Sequence, residues 1–486
     1  MNRTQFLRTA VSLVPIAVLV VLLAFNVSIF GSDAILGASQ VALLVAAGIC
    51  TWLAMWLFKT PWKKFEEAIR SNVGDITSAI VILFLIGAIS GTWVMSGVIP
   101  TLVYYGVQII SPKVFLLTAC LICAVVSVMV GSSWTTIATI GVALLGIGRA
   151  EGFSDGMIAG AIISGAYFGD KISPLSDTTV MASSISGTPL FEHIRYMFYT
   201  TVPSIVITLV LFTVIGFIHG DGEAAHVGVY TEALASRYNI SLWLMIVPLV
   251  TAFMIARKTP ALIVLSISIL IAAVFALVFQ PGIIREIGNG AAMAHGLTRP
   301  VPEWQLMLAG TIETIYDSVS IDTGNAEVNQ LVASRGMLGM LNTVYLIICA
   351  MCFGGCMRAS GMLDEIARLL LPLTRTRTGL VATTVGTGTA LNGVISDQYL
   401  AIIMTSNIYK DIFISNGYEN RLLSRSVEDS ATVTSPLFPW SSCGMTQATI
   451  LSVPTLVYFP YCFFNILSPL MSIFIAATGY KIFRRR

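Results

Sequence analysis

Phe168-Gly169-Asp170-Lys171-Ile172-Ser173-Pro174-Leu175-Ser176-Asp177-Thr178-Thr179 decides the fold of this chain. Three charges, a proline and a run of hydroxyls stand between apolar stretches. Proline removes a helical hydrogen bond and breaks the helix that holds it. Carboxylates at membrane depth are costly and point to function. A second such stretch, Glu428-Asp429-Ser430-Ala431-Thr432-Val433-Thr434-Ser435-Pro436-Leu437-Phe438-Pro439, lies far downstream.

The surroundings of both stretches are lipid-like. Of 486 residues, 56% are hydrophobic and 11% charged, against about 25% charged in an ordinary soluble domain. Apolar runs at 10–30, 34–58, 76–95, 196–218, 261–279, 337–357 and 459–477 are long enough to span a bilayer, which needs roughly 20 helical residues. Shorter runs raise the expectation to about 11–13 embedded segments. They are too long and uniform for barrel strands, so the reading is an all-α polytopic membrane protein. Net charge is +2, with no basic block interleaved with aromatics, which argues against a nucleic-acid partner.

The first run follows Arg3 and Arg8 but is long for a signal peptide, and is expected to stay as a helix. The eight cysteines lie almost all in apolar sequence without acidic or His neighbours, and read as packing residues. The four His, at 193, 219, 226 and 295, fall near segment ends or in loops and read as interfacial. Glu313, Asp317, Asp322 and Glu327 read as a solvated loop.

Compared with itself, the chain repeats. Gly91 with Ser96-Gly97 matches Gly355 with Ser360-Gly361, and Ser173-Pro174-Leu175 matches Ser435-Pro436-Leu437, at a nearly constant offset. Between them the polar interruption Gly131-Ser132-Ser133-Trp134-Thr135-Thr136 falls opposite Gly388-Thr389-Ala390-Leu391-Asn392-Gly393. Lys59, Lys63, Lys64 and Arg70 precede the helix at 76–95, whereas Arg358, Arg368, Arg375 and Arg377 follow its mate at 337–357. The positive-inside rule therefore gives the two copies opposite orientations, with both termini cytoplasmic. The expected organisation is N-terminal helices over 1–64, repeat 1 over 65–220, connecting segments over 221–328 and repeat 2 over 329–486. Each repeat contains a re-entrant hairpin (114–148 and 380–414) and a discontinuous helix (154–189 and 422–452), beside scaffold helices.

A broken helix frees backbone carbonyls, Ser and Thr add hydroxyls, and Asp offsets the desolvation of an ion; together these suit a small hard cation. The candidate cation- or substrate-binding residues are Ser132, Ser133, Trp134, Thr135, Asp170, Ser173, Ser176, Asp177 and Thr178 in copy one. In copy two they are Thr389, Asn392, Ser396, Asp397, Glu428, Asp429, Thr432 and Ser435. Sodium is expected at Ser133, Asp170, Ser173 and Asp177, and at Asn392, Asp429 and Ser435. Bland roles compete: Asp170 paired with Lys171, Asp397 capping the next helix, and Glu428 or Asp429 as a cap. One carboxylate able to hold either the cation or a proton would let the two exchange; Asp177 or Asp170 comes first, then Asp429.

Gly169-Asp170-Lys171-Ile172-Ser173-Pro174-Leu175-Ser176-Asp177-Thr178-Thr179 and Glu428-Asp429-Ser430-Ala431-Thr432-Val433-Thr434-Ser435-Pro436-Leu437 resemble signatures of the NhaC family of sodium/proton antiporters. Ser334-Arg335-Gly336-Met337 and Phe353-Gly354-Gly355 resemble further blocks of it. The resemblance implies two inverted repeats, a homodimer in a prokaryotic cell membrane, and Na⁺ and H⁺ as coupling ions with no other cofactor. Members exchange sodium for protons, or couple them to malate, lactate or amino acids. Ala431, and Ser441-Ser442 before Cys443-Gly444, depart from the usual pattern beside the expected cavity. Trp134, Trp440 and Asn392 leave room there for an organic ligand.

Two rival classes are weighed. Tyr316-Asp317 resembles half of the intramembrane aspartyl protease signature, but Asp170 follows Tyr167-Phe168-Gly169 and not Gly-x-Gly, so no enzyme is expected. A channel would pass sustained current without countertransport, and broken inverted helices favour a carrier.

Overall fold

The computed structural model describes residues 3–30, 37–75, 77–219, 225–257, 259–294, 296, 301–363, 365–366 and 371–484. Among these the chain is nearly all helix, with isolated bridges at Val319–Ser334 and Tyr418–Arg484 and no strand. Among the described residues six helices are long and apolar enough to cross a membrane: Arg8–Phe30, Ala38–Leu57, Pro112–Val130, Leu190–His219, Leu262–Phe279 and Leu338–Ser360. Three further pairs bend at a short break: Ile80–Met95 with Val98–Ile109 by 67°, Gly228–Arg237 with Leu242–Met254 by 93°, and Thr455–Tyr461 with Phe463–Thr478 by 55°. Trp52, Trp56, Val21, Leu249 and Val278 are each more than half exposed. Such a surface suits acyl chains, because lipid tails are as apolar as these side chains.

Two buried apolar clusters fill the interior, and Trp134 packs against both. One gathers the first hairpin with residues 98–107 and 265–276; the other gathers the second hairpin with residues 42–54 and 344–363.

The first hairpin runs out along Phe115–Val130, turns at Gly131 and returns over 133–150 through a π-helical turn at Ile137–Gly141. Gly131 has φ 69, and a Cβ there would lie 2.7 Å from the Leu175 carbonyl carbon. Only glycine meets both demands. The next helix, Asp155–Ile172, stops at extended Ser173 and resumes as Asp177–Ser186 after extended Ser176. Pro174 lies in the gap.

The second hairpin runs along Arg377–Ile395, turns at Ser396 and returns as Gln398–Ser415, capped by Asp397. Its polar tip, expected over 392–397, is shorter, because Asn392 and Gly393 remain helical. The Asn392 amide finds acceptors on the neighbouring broken helix, and Gly393 lets the Phe438 ring approach. That helix, Asn420–Val427, passes into a π turn at Glu428–Thr432 and a 3₁₀ turn at Ser435–Leu437, is extended at Phe438 and resumes as Ser442–Leu451.

Ser396 holds φ 64, a conformation that costs a side chain roughly 1–2 kcal/mol. Its carbonyl accepts from Ser442 N at 2.8 Å, and its own hydroxyl is buried without a hydrogen-bond partner. Ser396→Gly is therefore expected to raise the melting temperature in detergent by a few degrees, corresponding to about 1 kcal/mol. An unchanged or lower melting temperature would contradict this.

Candidate functional site

A cavity of about 1060 Å³ opens where the first hairpin tip, the first helix break and the start of the second hairpin's return arm converge. Ser132, Ser133, Trp134 and Thr135 line it from the tip; Asp170, Ser176, Asp177 and Thr178 from the break; Asp397 and Gln398 from the far arm. Asp170 is buried, and its Oδ2 accepts from Ser133 N at 3.2 Å and Ser133 Oγ at 2.7 Å. These donors sit at the N-terminus of the returning hairpin arm, which favours negative charge. Ser132 caps the same terminus, accepting from Thr135 N at 3.3 Å.

Asp177 opens the resumed helix and stays exposed toward the cavity. Ser176 Oγ and Thr178 Oγ1 lie 2.9 Å apart, and Thr178 Oγ1 donates to Glu428 Oε1 at 3.2 Å. A line of hydroxyls thus connects the first break to the second broken helix. Ser173 instead fastens the break to the hairpin, because its Oγ donates to Val128 O at 2.8 Å and accepts from Leu175 N at 3.2 Å.

The second expected sodium set is not brought together. Asn392 Nδ2 donates to Ala431 O at 2.6 Å and Thr434 Oγ1 at 3.0 Å; Ser435 Oγ donates to Thr432 O at 2.7 Å and Gln398 Oε1 at 3.2 Å. Asp429 makes no contact with either and turns toward Lys171. Asp397 does cap its helix, accepting from Leu400 N at 2.9 Å. Thr389 is half-buried and hydrogen-bonds to none of these residues. Glu428 stands at the C-cap of Asn420–Val427, its backbone N–H donating to Ser424 O and Arg425 O; it, Asp429 and Thr432 are buried in the π turn that follows.

Behind the cavity lies a dry ionic cluster. Lys171 and Asp429, both 0% exposed, form an ion pair. Lys171 Nζ also donates to Ser468 Oγ at 2.8 Å, and Asp429 Oδ1 accepts from Thr200 Oγ1 at 3.0 Å. Arg425, one turn before Asp429 and equally buried, places Nε 3.9 Å from Asp429 Oδ2 and its guanidinium 4.5 Å from the centre of the Tyr196 ring. Lys171 therefore pairs with Asp429 across the molecule and not with its neighbour Asp170. His193, expected at an interface, is fully buried and shares a 2.9 Å hydrogen bond with Ser424. His219 is exposed, while the His226 side chain and His295 lie outside the described residues.

Sequence reading missed Lys171 as a site residue, together with Arg425, Thr200, Ser468 and Gln398. The i, i+4 spacing of Arg425 and Asp429 was a usable signal. Thr200 and Ser468 sit in apolar runs that carry none. Removing one partner of a buried ion pair leaves the other unpaired, at about 3–5 kcal/mol. Asp429→Asn is expected to lose stability on that scale, seen as a large drop in detergent melting temperature.

Crossing-length helices, broken around carboxylates and hydroxyls that face a common cavity, are the build of a multi-pass membrane transport protein. The chain belongs to the Na⁺/H⁺ antiporter family, whose model matches residues 165–480. It is 34% identical to the Na⁺/H⁺ antiporter NhaC of Alkalihalophilus pseudofirmus over 91% of this chain and 90% of that protein. It is also 34% identical to the malate-2H⁺/Na⁺-lactate antiporter of Bacillus subtilis, over 90% of this chain and 89% of that one. Identity to the arginine/ornithine antiporter ArcD of Halobacterium salinarum is 33%, over 98% and 93%.

Proposed function

We propose that the protein is a secondary active transporter that exchanges Na⁺ for H⁺ by alternating access. The observation that carries this is the Asp170 cradle: a buried carboxylate, held by a helix N-terminus and a hydroxyl, beside a cavity that Asp177 also faces. Sodium takes oxygen ligands, and Asp170, Asp177 and Ser133 offer them at the end of a helix break. The two hairpin-plus-broken-helix units act as inverted repeats, and their hairpins enter and leave on one side of the membrane. A homodimer in a prokaryotic cell membrane, with both termini cytoplasmic, completes the reading.

Purified protein in liposomes, with a pH dye inside, tests it. An imposed sodium gradient is expected to drive proton movement, and Asp170→Asn and Asp177→Asn to weaken it. Wild-type flux in both variants would remove these carboxylates from the cation path.

One observation favours a second reading. The cavity is far larger than a bare sodium ion requires, and Gln398, Trp134 and several hydroxyls line it. Na⁺- or H⁺-coupled carriage of a small carboxylate or an amino acid fits that volume, and two of the relatives above are named for such substrates. Thermal-shift measurements with hydroxy acids and amino acids, with and without sodium, separate the readings. Sodium-dependent stabilisation by one of these compounds supports the second; stabilisation by sodium alone supports the first.

A further inference from the structure

The cavity of about 1060 Å³ has the size of a site for an organic molecule, since such sites run from about 300 to 1,000 Å³. Its charge says which kind. Among the described residues, three helix N-termini reach it. They open the return arm of the first hairpin at Ser133, the resumed helix at Asp177 and the return arm of the second hairpin at Gln398. A helix N-terminus carries about half a positive charge and suits an anion. Each of these already carries a carboxylate of the chain itself. Asp170 accepts from Ser133 N at 3.2 Å, Asp177 sits in the first turn of its own helix, and Asp397 accepts from Leu400 N at 2.9 Å. Half a charge against a whole one leaves each end negative on balance.

All three carboxylates line the cavity, and none of its described lining residues is Lys, Arg or His. Lys171, next to Asp170 in sequence, is turned away onto Asp429. A further acceptor is neutral. Asn72 is wholly buried and lines the cavity too. Its Nδ2 donates to Met351 O at 3.3 Å, and among the described residues its Oδ1 has no hydrogen-bond partner. A bare acceptor at that depth calls for a donor. Much of the remaining wall is aliphatic, with Ile82, Val130, Met181, Ile185 and Ile403.

We propose that the cavity takes an organic diammonium ion, a short aliphatic stem with a protonated amine at each end. The class lies outside the hydroxy acids and amino acids weighed above, and it rests on the reading that this cavity is the transport route. An ammonium has three donors and no acceptor, which matches carboxylates and a bare amide oxygen. Two ammoniums offset two of the three carboxylates, where one sodium offsets one. The aliphatic wall receives the methylene stem, and Trp134 and Tyr399 add aromatic rings, which attract ammonium ions. A dicarboxylate would meet three like charges and no cation. An amino acid would bring one carboxylate to the same wall.

The test uses the purified protein in liposomes and tetramethylenediamine, which stays doubly protonated at neutral pH because alkyl amines titrate at about pH 10.4. Vesicles are loaded with the unlabelled diamine, and entry of a radioactive trace is compared with that into protein-free vesicles. Entry is expected about tenfold above this background, while labelled malate and lactate, each with its own unlabelled load, stay at background. Asp397→Asn removes a charge but keeps the helix cap, since Asn caps as well as Asp. Asn72→Leu removes the bare acceptor at similar size. Each variant is expected to lower diamine entry about tenfold with its melting transition intact. Diamine entry at background in wild type overturns the proposal, and so does entry of malate or lactate at a comparable rate. Wild-type diamine entry in the folded variants overturns it as well, because the diamine then takes another route. If neither variant folds, the wild-type comparison of diamine with carboxylates decides. Sodium-driven proton movement is read separately in the same preparation. Its absence overturns the exchange reading whether or not the diamine enters.

Discussion

Asp170→Asn is expected to cut sodium-driven proton flux by about a hundredfold while leaving the fold intact. The side chain keeps its size and can still accept from Ser133 through its amide oxygen, so the cradle survives. What goes is the charge. A charge-assisted contact in a dry site is worth about 1.5–3 kcal/mol, and 1.4 kcal/mol is about a factor of ten in an equilibrium constant. The variant should therefore melt near the wild-type temperature in detergent and differ in transport. Loss of flux together with a collapsed melting transition would instead assign Asp170 to folding. Asp177 provides the contrast. It is exposed to the cavity and not locked into a cradle, so its replacement should mainly raise the sodium concentration needed for half-maximal rate.

Gly165→Leu is expected to prevent folding altogether. The outgoing arm of the first hairpin lies directly against the helix that carries Asp170, and glycine allows the contact. A Cβ at Gly165 would sit 2.1 Å from the Cys120 carbonyl oxygen, and one at Gly169 would sit 2.4 Å from that of Ala124. Those obstacles are backbone atoms of a packed helix and cannot swing aside. Close approach through small residues is how membrane helices associate when no hydrophobic force drives them. Forcing the pair apart should cost more than about 3 kcal/mol and also displace Asp170 from Ser133. Failure to recover a monodisperse protein after detergent extraction is the expected result. Gly386→Ala is the control. It lies in a helix with nothing within 4 Å of a Cβ, so it should gain about 1 kcal/mol of helix propensity.

Much of this architecture was legible because membrane sequence is monotonous and exceptions stand out. Pro174 between Asp170 and Asp177, and Pro436 after Asp429, mark helix breaks because charges and hydroxyls surround them; Pro203 and Pro469, in apolar sequence, stay inside continuous helices. Gly131 before Ser132, Ser133, Thr135 and Thr136 marks the first turn. The second tip, expected over 392–397, contains the turn but starts too early, since Asn392 and Gly393 look like turn residues in isolation. They stay helical because the Asn392 amide is satisfied by Ala431 O and Thr434 Oγ1, partners some forty positions away. The Lys171–Asp429 pair was hidden for the same reason. Lys171 has Asp170 beside it and Asp429 has Arg425 one helical turn before it, each the more obvious partner in sequence, and only the fold decides between them. The π turns at Ile137–Gly141 and Glu428–Thr432 leave no local signature.

The Lys171–Asp429 contact also sets a timetable for making the protein. Its two residues are 258 positions apart. At about 5–20 residues per second, a ribosome takes roughly 13–50 s to travel from one to the other. Throughout that interval Lys171 is already made and its carboxylate is not. The first broken helix must therefore spend its early life shallow and wet, with the ammonium in contact with water, and seat itself only when the C-terminal third arrives. A chain cut short before Asp429 would have no means of completing that step. It should remain a loosely inserted substrate for membrane proteases, even though every helix of its first half has been synthesised.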